Sequence, residues 1–217
     1  MNNPAKILVV TAVEAEKEAV LRGLDGSSRF KVIAAGVGSA AAASRTAKEL
    51  ASGHYAWVIS AGIGGGFSGH AETENLVLAD RIIAADLGSE TPDGFLSVDE
   101  LGFGSSVIQT PEEIVNDFAH KLQAAGMTAA VGPILTVSTT TGTKEKAEVL
   151  AARIPGAAAE GMEGFGVARA AADFDLPVLE IRAISNSVGP RDREAWKIPE
   201  ALRSLEAASS ILTEVLT

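Results

Sequence analysis

The chain has 217 residues, 47% of them hydrophobic and 21% charged, with a formal net charge of −10. That acidity argues against a phosphate-backbone partner, because nucleic-acid binders need a basic face. Cysteine is absent, which excludes disulfides and thiol chemistry and suits an intracellular protein.

The opening "MNNPAKILVV" runs straight into a strand and lacks the cationic region and longer apolar core of a signal peptide. Strands are expected at Lys6–Thr11, Phe30–Gly36, Trp57–Gly62, Asn75–Asp86, Gly132–Ser138 and Pro177–Ser185, each a short β-branched run. These runs are continuously apolar rather than alternating, as strands covered on both faces are. Helical patterns lie between them at Ala15–Leu24, Ala40–Ser52, Pro111–Ala125, Lys144–Arg153, Gly164–Asp173 and Pro199–Leu216. Such alternation predicts a single α/β domain over residues 1–217, with three αβα layers around a mixed, mostly parallel central sheet. Leu87–Gly104 is the longest irregular stretch and reads as a surface excursion. No apolar run approaches the roughly 20 residues of a membrane span. His54, His70 and His120 are scattered, and no metal-ligand spacing occurs. The expectation is a soluble cytoplasmic domain without metal or cofactor, and with neither nucleic acid nor membrane as partner.

Ligands of open α/β sheets bind beyond the carboxyl ends of the strands, so the segments after the strands carry the functional argument. "GGGFSG" (Gly64–Gly69) matches G-x-G-x-x-G, with Asp86 downstream. A dinucleotide site needs a helix directly after the glycines, and here another strand pattern follows. The glycines then either permit a tight turn or leave bare backbone near a ligand. "GVGSAAAA" (Gly36–Ala43) offers backbone N–H groups at a helix start.

Glu14, Glu16 and Glu18 fall in the opening turn after the first strand. They either complement the helix dipole, or one or two of them face the strand ends, where a carboxylate serves as general base for water. Glu163 lies in "EGMEGFGVARAA", read as the start of a tightly packed helix, with no basic residue one turn ahead at Val167. A carboxylate there needs a hydrogen-bonding partner. Asn186 closes "IRAISN". It is either a turn former or an amide that reads the edge of a heterocycle as donor and acceptor.

Taken in order, "ILVVTAVEAE", "GVGSAAAA", "SAGIGGGF", "GMEGFGVA" and "IRAISN" resemble the purine nucleoside phosphorylase/nucleosidase superfamily over nearly the whole chain. The resemblance implies a nucleoside phosphorylase-like fold, a small-molecule nucleoside substrate and a homo-oligomer, dimer or larger. By similarity to the methylthioadenosine/S-adenosylhomocysteine nucleosidases, Glu16 is the water-activating acid, Met162 packs on the ribose, and Glu163 accepts from its 2′- and 3′-hydroxyls. The same resemblance puts Ile63, Gly64 and Gly65 along sugar and base, and Gly142 and Thr143 on the base-side loop. Arg182 and Ser185 lie in the strand that leads to the catalytic position, Arg182 with a structural role as its alternative, and Trp196 covers the substrate.

Two departures refine this expectation. Adenine-releasing members carry Asp where this chain has Asn186, and an amide NH₂ suits the N7 and O6 acceptors of a 6-oxopurine better. The phosphorylases hold phosphate with arginines that "TAVEAEKEA" and "SAGIGGGF" lack, although Arg45 follows "GVGSAAAAS". Water activated by Glu16 is therefore the expected nucleophile. Asn186 together with the tail "AISNSVGPRDREAWKI" resembles the futalosine hydrolases of the alternative menaquinone route, which release hypoxanthine. Arg191 or Arg193 is then available for the aryl carboxylate of such a substrate, or is a solvated loop charge. The alternatives are a methylthioadenosine-type nucleosidase, a 6-oxopurine nucleoside phosphorylase, and a non-catalytic nucleoside-binding domain on the same fold.

Overall fold

A computed structural model describes residues 5–216, so Met1–Pro4 of the N-terminal reading and Thr217 of the single-domain reading lie outside the described residues. In chain order the elements begin with β1 (Lys6–Thr11), α1 (Glu14–Gly23), β2 (Phe30–Ala34), α2 (Ser39–Leu50), β3 (Tyr55–Gly66) and β4 (Leu76–Ala84). There follow β5 (Gly88–Thr91), β6 (Gly94–Ser97), β7 (Val107–Gln109), α3 (Glu112–Ala124) and β8 (Ala129–Thr136). The chain ends with α4 (Lys144–Arg153), β9 (Ala159–Gly161), α5 (Gly164–Asp173), β10 (Val178–Ser187) and α6 (Ile198–Val215).

β1 shows why its centre, Ile7–Val10, is continuously apolar. Ile7 and Val9 enter one core while Leu8 and Val10 enter another on the opposite face. The first core is closed by α1, α3 and α6 through Val20, Phe118 and Leu205. The second is closed by α2 and α5 through Ala42, Leu50, Val167 and Ala171. This is the three-layer αβα arrangement. The parallel pairings β2–β1, β1–β3, β3–β10, β4–β8 and β8–β9 outnumber the antiparallel β10–β4, β3–β9 and β4–β7. The pairings β3–β10–β4–β8–β9–β3 close on themselves, so five strands form a ring with β1 and β2 as an arm. No helix among the described residues is long and apolar enough to cross a membrane.

Three sequence expectations change. Leu87–Gly104 is not irregular: β5 and β6 pair as a hairpin across Pro92–Asp93, the kind of turn that Pro and Asp followed by Gly form. Ile63–Gly66 is not a loop but the end of β3, paired with β10 on one side and β9 on the other. No helix follows it before β4, which removes the dinucleotide reading. Glu160 and Gly161, expected to begin a helix, form β9 instead.

Candidate active site

The carboxyl ends of β1, β3 and β10, with the β9–α5 junction, surround a cavity of about 440 Å³. The expected residues Glu16, Ile63, Gly64 and Gly65 line it on one side. Met162, Glu163, Ser185, Asn186 and Trp196 stand in the same wall.

Of the three acids after β1, only Glu16 turns inward and is buried; Glu14 pairs with Lys17 on the surface, and Glu18 is exposed. Glu16 is the third residue of α1, and its Oε2 accepts the N–H groups of Ala12 at 2.9 Å and Val13 at 3.2 Å. A Glu at that position reaches back to the helix start as in a capping box. Its Oε1 accepts the Ile63 N–H at 2.9 Å, tying α1 to β3. A carboxylate has about four acceptor sites. Three are used by backbone, which locks the side chain and leaves room for one more donor from the cavity. Gly62 makes this approach possible: a Cβ there would stand 2.7 Å from Glu16 Oε1.

Glu163 sits at the N-terminal boundary of α5. Its Oε1 accepts the Gly38 N–H at 2.9 Å, so the helix start after "GVG" meets a carboxylate of the protein itself. Its Oε2 lies 3.6 Å from Arg182 Nη1. The basic partner missing one turn ahead thus arrives from β10. Arg182 is 1% exposed and is not part of the cavity wall. Its Nε donates to Glu180 at 2.8 Å and its Nη2 to Ser60 at 3.0 Å. Burial disfavours its charge, but the Glu180, Glu163 and Glu16 carboxylates more than offset this and hold its pKa above the usual arginine range. Of these three acids, Glu16 and Glu163 line the cavity, while burial pushes the Glu180 carboxyl above the usual carboxylate range.

A register shift between Ile184 and Asn186 marks Ser185 as a bulge in β10. Bulges re-aim side chains, and here both Ser185 and Asn186 reach the cavity. The Ser185 hydroxyl donates to Asn186 Oδ1 at 2.8 Å, and Asn186 Nδ2 donates to the Ser187 carbonyl at 3.0 Å. The amide is oriented by these two bonds, with one N–H left over.

Gly142 and Thr143 are exposed and do not line the cavity; Thr140 and Thr141 do. Thr143 instead caps α4, its side chain accepting the Lys146 N–H, because a Thr preceding a helix is a better cap than a wall residue. Arg191 lines the cavity mouth, its guanidinium carbon 5.1 Å from the Trp196 ring centroid, and is its only arginine or lysine among the described residues. Arg193 lies 5.9 Å from the same ring without reaching the wall. Arg45 is exposed on α2, away from the wall.

Residues 8–217 match the family described as the Phosphorylase superfamily. The chain belongs to this superfamily. It is 47% identical to the futalosine hydrolase of Streptomyces coelicolor, over 97% of this chain and 96% of that one. To the futalosine hydrolase of Acidothermus cellulolyticus it is 44% identical, over 95% of this chain and 90% of that one. The S-adenosylhomocysteine nucleosidase of Streptococcus pyogenes, solved in complex with 5-methylthiotubericidin, superposes with a TM-score of 0.82. That structure shares 19% identity and covers 100% of both chains, so it speaks to the fold alone.

One residue of this superfamily member's cavity escapes sequence reasoning. Glu160, in the middle of β9, lines the wall and is 5% exposed. Its Oε1 accepts the Thr141 N–H at 2.8 Å, while its buried Oε2 has no hydrogen-bond partner. Burial pushes its carboxyl above the usual carboxylate range, against the pull of the Thr141 bond. The available signal was an acid isolated within the small-residue run "GAAAEG", where only a hydrogen-bonded role tolerates a charge.

Proposed function

We propose that the chain is an N-ribosyl hydrolase that cleaves the glycosidic bond of futalosine, releasing hypoxanthine and dehypoxanthine futalosine in menaquinone biosynthesis. The observation that carries this is Asn186: an amide held by Ser185 with a free N–H at the cavity wall. The kinship with two futalosine hydrolases supports the same substrate.

In this reading Glu163 accepts the two ribose hydroxyls, charge-assisted bonds that fix the sugar against Met162. Glu16 takes a proton from water as the water oxygen bonds to C1′. The C1′–N9 bond breaks, and its electron pair moves onto the purine, where the Asn186 N–H stabilises charge at N7 and O6. The Glu16 and Glu163 carboxylates in the wall favour the oxocarbenium-like sugar between these events. Glu16 then passes its proton to solvent, and the released base takes one up.

Water rather than phosphate is the nucleophile, because a phosphate site needs cationic donors beside C1′. Arg191 is at the mouth, stacked toward Trp196, and suits the aryl carboxylate at the far end of the substrate. An adenine nucleoside presents an N–H₂ donor to the Asn186 amide donor, a mismatch of roughly 1–3 kcal/mol. The whole chain acts as one catalytic domain, in the cytoplasm and as a homo-oligomer. The 82% exposure of Phe103, beside the β5–β6 hairpin, supports a subunit contact there. Chromatography of the free base released from futalosine, with and without phosphate, tests the reading.

A further inference from the structure

We infer that Glu160 reads the pyrimidine edge of the base, accepting the N1–H of a 6-oxopurine through Oε2 while Asn186 serves its N7 and O6 side. This inference rests on the hypoxanthine reading of the site and names a specificity residue for it. Three observations converge. Glu160 stands opposite Gly65 on β9, and Asn186 stands opposite the same glycine on β10. The missing side chain at Gly65 leaves a gap that both flank, since a Cβ there would lie 3.4 Å from Asn186 Nδ2 and 3.5 Å from Glu160 Cγ.

The second observation is the unpartnered oxygen. Oε1 already satisfies the Thr141 N–H, which a glutamine would do equally well. A structural role therefore leaves the buried Oε2 unexplained, and a buried acceptor without a donor is unfavourable. The third is chemical complementarity. Hypoxanthine presents acceptors at N7 and O6 and a donor at N1, and the wall presents an amide donor and a carboxylate acceptor on the two sides of one gap. Adenine reverses the pattern at both positions, with a donor at C6 and an acceptor at N1. Discrimination is thereby built twice, which is how polar sites reach large specificity ratios.

The test uses Glu160→Gln, which keeps the shape and the bond to Thr141 but turns a donor toward N1. Hypoxanthine and adenine binding are measured calorimetrically on the wild type and the variant, alongside release of hypoxanthine from futalosine. The expected result is a loss of hypoxanthine affinity of roughly 10–100-fold, with adenine affinity unchanged or increased. If the two bases shift together, or neither shifts, Glu160 is a wall or loop anchor and the inference is overturned. Should the variant fail to fold, the wild type alone decides: 1-methylhypoxanthine binding as tightly as hypoxanthine overturns it, and rejection supports it. A wild type that releases adenine and not hypoxanthine overturns the hypoxanthine reading itself, a result distinct from failure of the Glu160 variant.

Discussion

Glu160 and Asn186 face one another across Gly65, each within 3.5 Å of where that residue's Cβ would be. The glycine keeps the space between two polar side chains open, and it lies in a strand where a larger residue would otherwise pack better. Gly65→Ala would put a methyl 2.9 Å from Val188 Cγ2. The expected outcome is a destabilisation of about 1–3 kcal/mol and a rise in KM for the nucleoside, read from thermal melts and steady-state kinetics. An alanine variant with unaltered KM would show that the gap is not occupied by substrate.

Glu16→Gln keeps the side-chain size but removes the proton acceptor. Turnover should fall by roughly 10²–10⁴-fold, while binding of free hypoxanthine changes little, as single-turnover kinetics and calorimetry would show. Retention of full activity would remove Glu16 from the role of base.

Glu163 bonds to the Gly38 N–H and lies beside Arg182, yet its proposed work is on the ribose diol. A 2′-deoxy substrate analogue should be cleaved roughly 10–100-fold less efficiently by the wild type, and Glu163→Gln should reduce that difference. The same discrimination in both proteins would place the diol elsewhere.

Arg182 compensates buried carboxylates, and removing one partner of such a cluster strands charge. Arg182→Met should destabilise by about 3–5 kcal/mol, measured by denaturant unfolding. A loss under 1 kcal/mol would mean that water reaches the cluster.

Burial raises the Glu160 carboxyl above its ordinary value of 4.5, so folding disfavours its charged form relative to the unfolded chain. Its contribution to stability is therefore fully present below the ordinary value and is lost as pH rises through the raised one. At pH 8 Glu160→Gln should melt at a higher temperature than the wild type. The difference should close as pH falls toward 4.5. Equal melting temperatures at pH 8 would contradict the unsatisfied-carboxylate account.

Much of this architecture was legible because long apolar runs and capped helices carry local signals. β1 and α5 have the bounds their patterns predict, and α4 begins after a Thr that caps it. β9 was not legible, since three residues reading Ala-Glu-Gly carry no strand propensity and pair only because β3 and β8 flank them. The glycines of β3 read as a loop for the same reason: their strand conformation is imposed by β10 and β9, not by their own preference. At the site, Glu16, Glu163 and Asn186 stood out because each is a polar residue at a strand or helix end. For Arg182 the sequence left a structural role and a site role open, because alternation along a strand does not tell which buried face meets the cavity. Glu160 was passed over because its neighbourhood resembled a helix start.

The most direct test of the account is chromatography of free base after incubation with futalosine, inosine and methylthioadenosine, each with and without phosphate. The account predicts hypoxanthine from futalosine at a rate independent of phosphate, with methylthioadenosine left intact. Adenine from methylthioadenosine, or release that requires phosphate, would contradict it.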